Sequence, residues 1–286
     1  MMGDARRAAN RQAEVESMKT LDQSDEHLKH IRQRFTNTAG AFSDFVLTRK
    51  AGEADHVAEV IARSLPGAAA ASAVDLACGP GTFVRSLARH VARAAGVDIT
   101  PAMLTRAEKE AARAGLANTT FFCADVEALP FADESWNIAL CGYALHHLLH
   151  PAQVVREMAR IVRRGGRVAV VDMALAEGAD SETHNRIERV RDPSHCTTLG
   201  VAELKRVFRD AGLREIAAEP QERNREFDDW MHVAGSEPGS AIYGEARRLM
   251  EANLPGDASG FFPRFDPQTG KLQFTQHSVF LLAEKP

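Results

Sequence analysis

Val74-Asp75-Leu76-Ala77-Cys78-Gly79-Pro80-Gly81-Thr82 is the stretch on which the reading of this chain turns. It follows an alanine-rich lead-in and precedes an amphipathic run that begins at Phe83. Residues 73–76 read as a short buried strand, the glycines as a tight turn, and Thr82 as the start of a helix. Glycine lets the backbone take positive φ and lets a ligand approach closely. A helix start offers unpaired N–H groups and the positive end of the helix dipole, so an anionic ligand group belongs there. No Lys follows the turn, which excludes a phosphate loop, and Val84 stands where a dinucleotide fingerprint has its third glycine.

Outward from this turn the chain alternates strand and helix. Strands are expected at 73–76, 95–98, 119–123, 136–141 and 167–172. Helices are expected from Thr82, over 101–114 and over 151–162. Thr100-Pro101 supplies a hydroxyl N-cap followed by proline at the first helical position, and Gly115 ends that helix. Upstream, Val57, Val60, Ile61 and Leu65 recur at helical spacing over 54–65, and Pro66-Gly67 stops the run. Such alternation implies a doubly wound, mostly parallel α/β sheet with helices on both faces. Ligands of these sheets bind outside the carboxyl ends of the strands, at the point where strand order reverses. Gly79, Asp98, Asp125, Tyr143 and Asp172 are therefore expected to converge. An acid ending the second strand, here Asp98, commonly takes a ribose diol.

Downstream of Asp172 lies a long polar connection, then a helix over 201–211 and a strand over 213–218. The segment 220–271 is too long for a plain hairpin and carries helical signals at 227–233 and 241–253. A last strand is expected over 272–283. The expected organisation is a mobile, charge-mixed N-terminal arm over 1–30 and a single domain over 31–286. Cap pieces are expected at about 31–50, 183–195 and 220–264.

Five motifs in order carry a family resemblance: D-L-A-C-G-P-G-T from Asp75, G-V-D-I-T-P-A-M-L from Gly96, C-A-D-V-E-A-L-P-F from Cys123, A-L-H-H-L from Ala144 and R-R-G-G-R-V-A-V-V-D from Arg163. Together they resemble the class I S-adenosylmethionine-dependent methyltransferases, in the small-molecule branch with the ubiquinone/menaquinone C-methyltransferase-like (methyltransferase type 11) enzymes. The resemblance implies a seven-stranded, Rossmann-like sheet with helical cap insertions and S-adenosylmethionine as cofactor. It further implies methyl transfer to the oxygen or carbon of a small metabolite. Position by position, it implies a cofactor site of Asp75, Ala77, Gly79, Gly81, Asp98, Ile99, Met103, Asp125, Val126, Cys141 and Tyr143. Asp75 would attract the ammonium, Asp98 the ribose hydroxyls and Asp125 the adenine amine, with Ile99 and Met103 as apolar faces. Met103 reads equally well as core. Pro80 departs from the commoner Thr or Ser and removes one N–H from the turn.

Similar sugar O-methyltransferases line their acceptor site with a histidine pair and a strand-end acid, which implies His146, His147 and Asp172 as catalytic candidates. Each histidine also reads as a packing residue, and at most one is expected to act as base. His184 and His195 are the runners-up. Phe42 is a candidate wall over the methionine end of the cofactor. Trp230, Met231, Phe261 and Phe262 line the acceptor or form the cap's own core. Two other readings stay open: a cofactor-binding protein that does not methylate, and a nucleic-acid or protein methyltransferase.

Composition narrows the classes. The chain has 286 residues, 44% apolar and 26% charged, with a net charge of −4. That balance argues against a nucleic-acid footprint. Cys78, Cys123, Cys141 and Cys196 form no paired motif and read as reduced thiols of a cytoplasmic protein. No run reaches the length of a membrane span, and no metal-ligand spacing occurs. A small-molecule acceptor is the expected partner, and a homodimer is left open.

Overall fold

Ser72–Leu76 (β1) is buried at every position and forms the centre of the sheet. The structure, a computed structural model, describes residues 26–36, 50–254 and 256–286. In chain order the elements are helical residues 26–36 (α1), Ala51–Ser64 (α2), β1, Thr82–Ala88 (α3), Arg93–Asp98 (β2), Pro101–Arg113 (α4), Thr119–Cys123 (β3), Trp136–Gly142 (β4), Pro151–Ile161 (α5), Val162–Met173 (β5), Ser181–Arg191 (α6), Val201–Asp210 (α7), Arg214–Glu226 (β6), Phe227–Val233 (α8), Ala241–Glu251 (α9), Arg264–Phe265 (β7) and Leu272–Glu284 (β8). Phe42, Phe45 and the first 25 residues of the expected arm lie outside the described residues.

The main path of the sheet runs β3-β2-β1-β4-β5-β8-β6. The pairs among β1 to β5 are parallel, and β8 runs antiparallel to both β5 and β6. Seven strands were expected; the two-residue β7 adds an eighth by pairing with β8. Strand order reverses between β1 and β4, and the site lies at their carboxyl ends. The strands alternate as a two-faced sheet must. Val74, Ala139, Val168, Val170 and Leu281 enter one core, while Ala73, Ile138, Leu140, Ala169 and Leu282 enter the other.

Three stretches differ from the sequence reading. The polar connection after Asp172 contains α6, whose N-cap Asp180 accepts from the Thr183 N–H at 2.8 Å. Only Ile187 and Val190 are apolar on it, so it shows no stripe; its signals are the Asp cap, Glu182 in the first turn and Arg189 and Arg191 in the last. β6 runs to Glu226, well past the expected end at 218, because an edge strand tolerates charge and a proline such as Pro220. Thr100 precedes α4 as expected but makes no side-chain cap bond; its N–H instead donates to Asp98.

β6 and β8 outrun the sheet. Their pairing continues to Glu226 and Gln273, and beyond the sheet it carries a separate small core. Phe227, Trp230, Met231, Phe261 and Phe274 fill that core together with Ile187 of α6. Phe262 is not part of it and is exposed.

Gly142 ends β4 where the ring of Phe83 crosses it. A Cβ there would lie 2.4 Å from Phe83 Cε2. Gly142→Ala is expected to destabilise the fold by about 1–3 kcal/mol through overpacking, read as a lower denaturant midpoint. An unchanged midpoint would mean that the ring is free to move aside.

Candidate functional site

One cavity opens at the carboxyl ends of β1, β2, β4 and β5. At one end stand Ala77, Gly79, Asp98, Ile99, Met103, Asp125, Val126 and Tyr143. At the other stand His146, His147, Met173, Glu188, Asp192, His195 and Trp230. Residues on β2, α4, β5, α6 and α8 and on the loops after β1, β3 and β4 thus share one space. Of the expected site residues, Asp75, Gly81, Cys141 and Asp172 are not on its wall. Cys141 is fully buried in the core. Gly81 lies behind the turn, where a Cβ would meet Ala107 Cβ at 2.9 Å.

The turn after β1 is unusual in its backbone. Ala77, Gly79 and Gly81 all have positive φ. For Ala77 that conformation costs on the order of 1 kcal/mol, as it does for Tyr143 across the cavity, with φ 55°. A Cβ on Gly79 would meet nothing within 4 Å and would project into open space.

Two acids sit beneath this turn. Asp98 accepts the Gly79 N–H at 2.9 Å through Oδ2 and the Thr100 N–H at 2.8 Å through Oδ1. Burial raises its pKa against those two bonds. Asp75 is 1% exposed, and neither of its carboxyl oxygens has a hydrogen-bond partner among the described residues. Burial, and then the charge of Asp98, push it well above the ordinary carboxylate range.

At the other end the histidines lie on and beside a 3₁₀ turn, Leu145–His147. Asp172 Oδ1 lies 2.6 Å from His146 Nδ1, and Asp172 Oδ2 accepts the His146 backbone N–H at 3.1 Å. The Met173 N–H also donates to Asp172 Oδ1 at 2.7 Å. Burial alone would lower the His146 pKa, but the charge and hydrogen bond of Asp172 leave it raised. His147 stacks obliquely 4.1 Å from His146 and places Nδ1 3.1 Å from the Ser194 carbonyl oxygen. Burial and the His146 charge lower it to about 3. The two rings therefore share the site and do not face apart, but only His146 keeps a basicity useful near neutrality. His184 is stacked on Phe261 and bonded to the Ser259 carbonyl, away from the cavity wall.

Cap pieces were expected at about 31–50 and 183–195, but not the side chains by which α1 and α6 reach the cavity. Arg34 donates twice to Asp192, through Nε at 3.1 Å and Nη2 at 3.0 Å. Burial raises Asp192, yet the hydrogen-bonded Arg34 guanidinium and the charge of Arg191 hold it well below the usual carboxylate range. Phe35 meets the edge of His147 at 5.3 Å, and His27 Nε2 lies 2.8 Å from the His147 carbonyl oxygen. Residues 26–30, expected to end a loose arm, thus belong to a helix fastened over the histidine end of the cavity. The adjacent Arg34-Phe35 pair was the available signal.

A glycine turn at a sheet switch point, a strand-end acid and a largely apolar cavity with a few convergent polar groups define an α/β site for a nucleoside-type ligand. Comparison with known proteins makes that class specific. Residues 74–170 match the family model described as a methyltransferase domain. The chain is 30% identical over 164 residues to the uncharacterized methyltransferase YcgJ of Bacillus subtilis, covering 57% of this chain and 65% of that protein. It is 29% identical over 166 residues to the 27-O-demethylrifamycin SV methyltransferase of Amycolatopsis mediterranei, covering 56% of this chain and 60% of that enzyme. The matches thus span less than two thirds of the length of these curated relatives. The crystal structure of YcgJ superposes with a TM-score of 0.70 at 24% identity, over 80% of this chain and 98% of that one. By that domain match and by its fold the chain is similar to the class I methyltransferases, which use S-adenosylmethionine as cofactor. No helix among the described residues is long and apolar enough to cross a membrane.

The residues present fit that cofactor. A buried carboxyl with no partner, Asp75, is the group a cationic ligand satisfies. The open space over Gly79 is the room a side chain would have filled. Each oxygen of Asp98 keeps acceptor capacity beyond its one backbone bond.

Asp75 holds a proton in the folded, ligand-free protein at pH values where the unfolded chain has lost it. The stability tied to it is complete below the unfolded value of about 3.9 and is lost as pH rises through the raised folded value. Asp75→Asn is expected to remove that loss. At neutral pH and above, the ligand-free variant melts higher than the parent, while its affinity for S-adenosylhomocysteine falls about tenfold or more. Melting curves across pH and calorimetry test both halves; a variant that melts lower in alkaline buffer contradicts the assignment.

Proposed function

We propose that the protein transfers a methyl group from S-adenosylmethionine to an oxygen or an acidic carbon of a small-molecule acceptor, with His146 as general base and Asp172 as its orienting partner. The cofactor end is assigned to Gly79, Asp98, Ile99, Met103, Asp125 and Val126 on the wall and Asp75 behind it. Asp98 holds the ribose hydroxyls, and Asp125 accepts from the adenine amine. When bound, S-adenosylmethionine supplies a methyl group activated by a sulfonium.

The observation that carries the reading is His146, held from behind by Asp172, on the wall of the cavity that Gly79 and Asp98 also line. A carboxylate only accepts, so the 2.6 Å contact assigns the proton of the neutral ring to Nδ1. Nε2 is then a bare lone pair with no partner among the described residues. It takes a proton from the acceptor, and the Asp172 charge stabilises the imidazolium that results. Positioned bases of this kind contribute roughly 10²–10⁴-fold. Alignment of the reacting groups contributes more, on the order of 7–11 kcal/mol. The cap core around Trp230 and the α1 contacts through Arg34 and Phe35 supply walls that exclude water from that alignment.

Turnover is followed as S-adenosylhomocysteine released with a panel of hydroxylated metabolites. His146→Gln is expected to lower kcat by about 10²–10⁴ while cofactor affinity stays within about twofold of the parent. Because only the neutral ring is a base, kcat rises with pH through the His146 pKa, which lies above the ordinary value of about 6.5. Asp172→Asn removes the charge that raises it and is expected to move this limb to lower pH. Full turnover in His146→Gln, or a limb that Asp172→Asn leaves in place, would remove the base assignment.

A further inference from the structure

The acceptor end contains a second imidazole whose state is set by the backbone around it. His195, in the turn after α6, is buried, and its Nε2 lies 2.7 Å from Asn185 Oδ1. The Asn185 amide has only one consistent orientation. Its Nδ2 donates to the Ser181 carbonyl at 2.8 Å, and its Oδ1 accepts the Thr198 N–H at 2.8 Å. A carbonyl cannot donate and an N–H cannot accept, so Oδ1 faces His195 and His195 Nε2 must be the donor. Burial, and then the neighbouring His146 and His147, lower this ring to about 2, so it is neutral at working pH. Its Nδ1 is therefore a bare acceptor. It is buried, has no partner among the described residues, and belongs to a residue on the cavity wall.

One turn along α6 from Asn185, Glu188 repeats the pattern. It is 1% exposed and lines the same cavity. Its Oε2 accepts from Arg191 Nη1 at 3.1 Å, and its Oε1 has no partner among the described residues. Two buried acceptors without hydrogen-bond donors are costly in a folded protein unless a ligand supplies the donors. His195 stands beside the proposed base, its ring 5.7 Å from that of His146, and Glu188 is near enough for its charge to act on His146. A ring as weakly basic as His195 cannot serve as a second base, which leaves recognition as its use.

We propose that His195 Nδ1 and Glu188 Oε1 read a second polar hydrogen on the acceptor, so that the substrate class is a ring carrying a hydroxyl next to the one presented to His146. This inference rests on the methyl-transfer reading of the cavity and names the class of acceptor for it. A vicinal diol places one hydroxyl on the base and its neighbour on the paired acceptors. A site with buried acceptors discriminates strongly against an analogue that lacks the matching donor. The diol can belong to an aromatic ring or to a sugar, and the test separates the two.

Full-length protein is first titrated with S-adenosylhomocysteine by calorimetry, then saturated with it and titrated with matched probes. One pair is 4-tert-butylcatechol and 4-tert-butylphenol; the other is phenyl β-glucopyranoside and its 2-deoxy counterpart. In at least one pair the diol is expected to bind about tenfold tighter or more than its partner, and which pair does so identifies the source. His195→Gln keeps an N–H for Asn185 but places no acceptor at the Nδ1 position, and is expected to cut that preference below about threefold. His195→Asn puts an amide oxygen near the Nδ1 position and is expected to retain it. If His195→Gln fails to bind S-adenosylhomocysteine and so is misfolded, Glu188→Gln, which keeps its shape but replaces an acceptor, is expected to lose the preference in its place. No diol preference in the parent, or one that survives His195→Gln or its substitute Glu188→Gln, overturns this inference and leaves methyl transfer standing. Failure of the parent to bind S-adenosylhomocysteine overturns the methyl-transfer reading and this inference with it.

Discussion

A buried carboxyl group with no hydrogen-bond partner among the described residues is the constraint around which the glycine-turn end of the cavity is built. Asp75 is held at the centre of a parallel sheet, under a glycine turn, beside a second acid. A charge in that position is unfavourable until something cationic arrives. The protein thus stores an unsatisfied group just behind the wall on which two strained non-glycine backbones, Ala77 and Tyr143, stand. Such strain is commonly kept at binding sites, where the surrounding structure over-determines it. Here the packing of Phe83 on Gly142 and of Ala107 behind Gly81 holds the turn in place.

The acceptor end uses the opposite device. Its charges are compensated, but its neutral groups are held in one state. Asp172 fixes the His146 tautomer, and Asn185, itself fixed by two backbone groups, sets that of His195. His146 and His195 therefore differ in basicity although their rings are neighbours: one has a carboxylate partner and the other an amide. Burial lowers both, and only the carboxylate reverses it. The contrast is a case of environment assigning separate roles to like side chains.

Legibility followed periodicity. The strands of the sheet's parallel half were readable because each is a short apolar run bounded by turn residues, and β1 to β5 fall close to their expected positions. Residues at strand tips, Gly79, Asp98, Asp125, Tyr143 and His146, were readable by the same logic and share one cavity. Asp75, Gly81, Cys141 and Asp172 were placed at the same tips, but a strand's side chains alternate between faces. Sequence position alone does not say whether a given tip residue lines the wall or supports it. α6 and the outer half of β6 escaped notice because both are polar and draw their stability from a cap bond, an edge position and packing on a separate small core. Arg34, Asn185, Glu188 and Asp192 reach the acceptor end from such segments, so no motif announced them.

By itself the sequence determined the alternating α/β order and the glycine turn with its two acids, because these depend on contacts within a few residues and on strands that pair in a common order; the cofactor class came only through the resemblance those motifs carry. The tertiary structure alone decided which imidazole keeps its basicity, which acceptors stay unpaired, and what closes the far end of the cavity. Those properties depend on burial and on partners 10 to 158 residues away in the chain, and neither is set by local pattern.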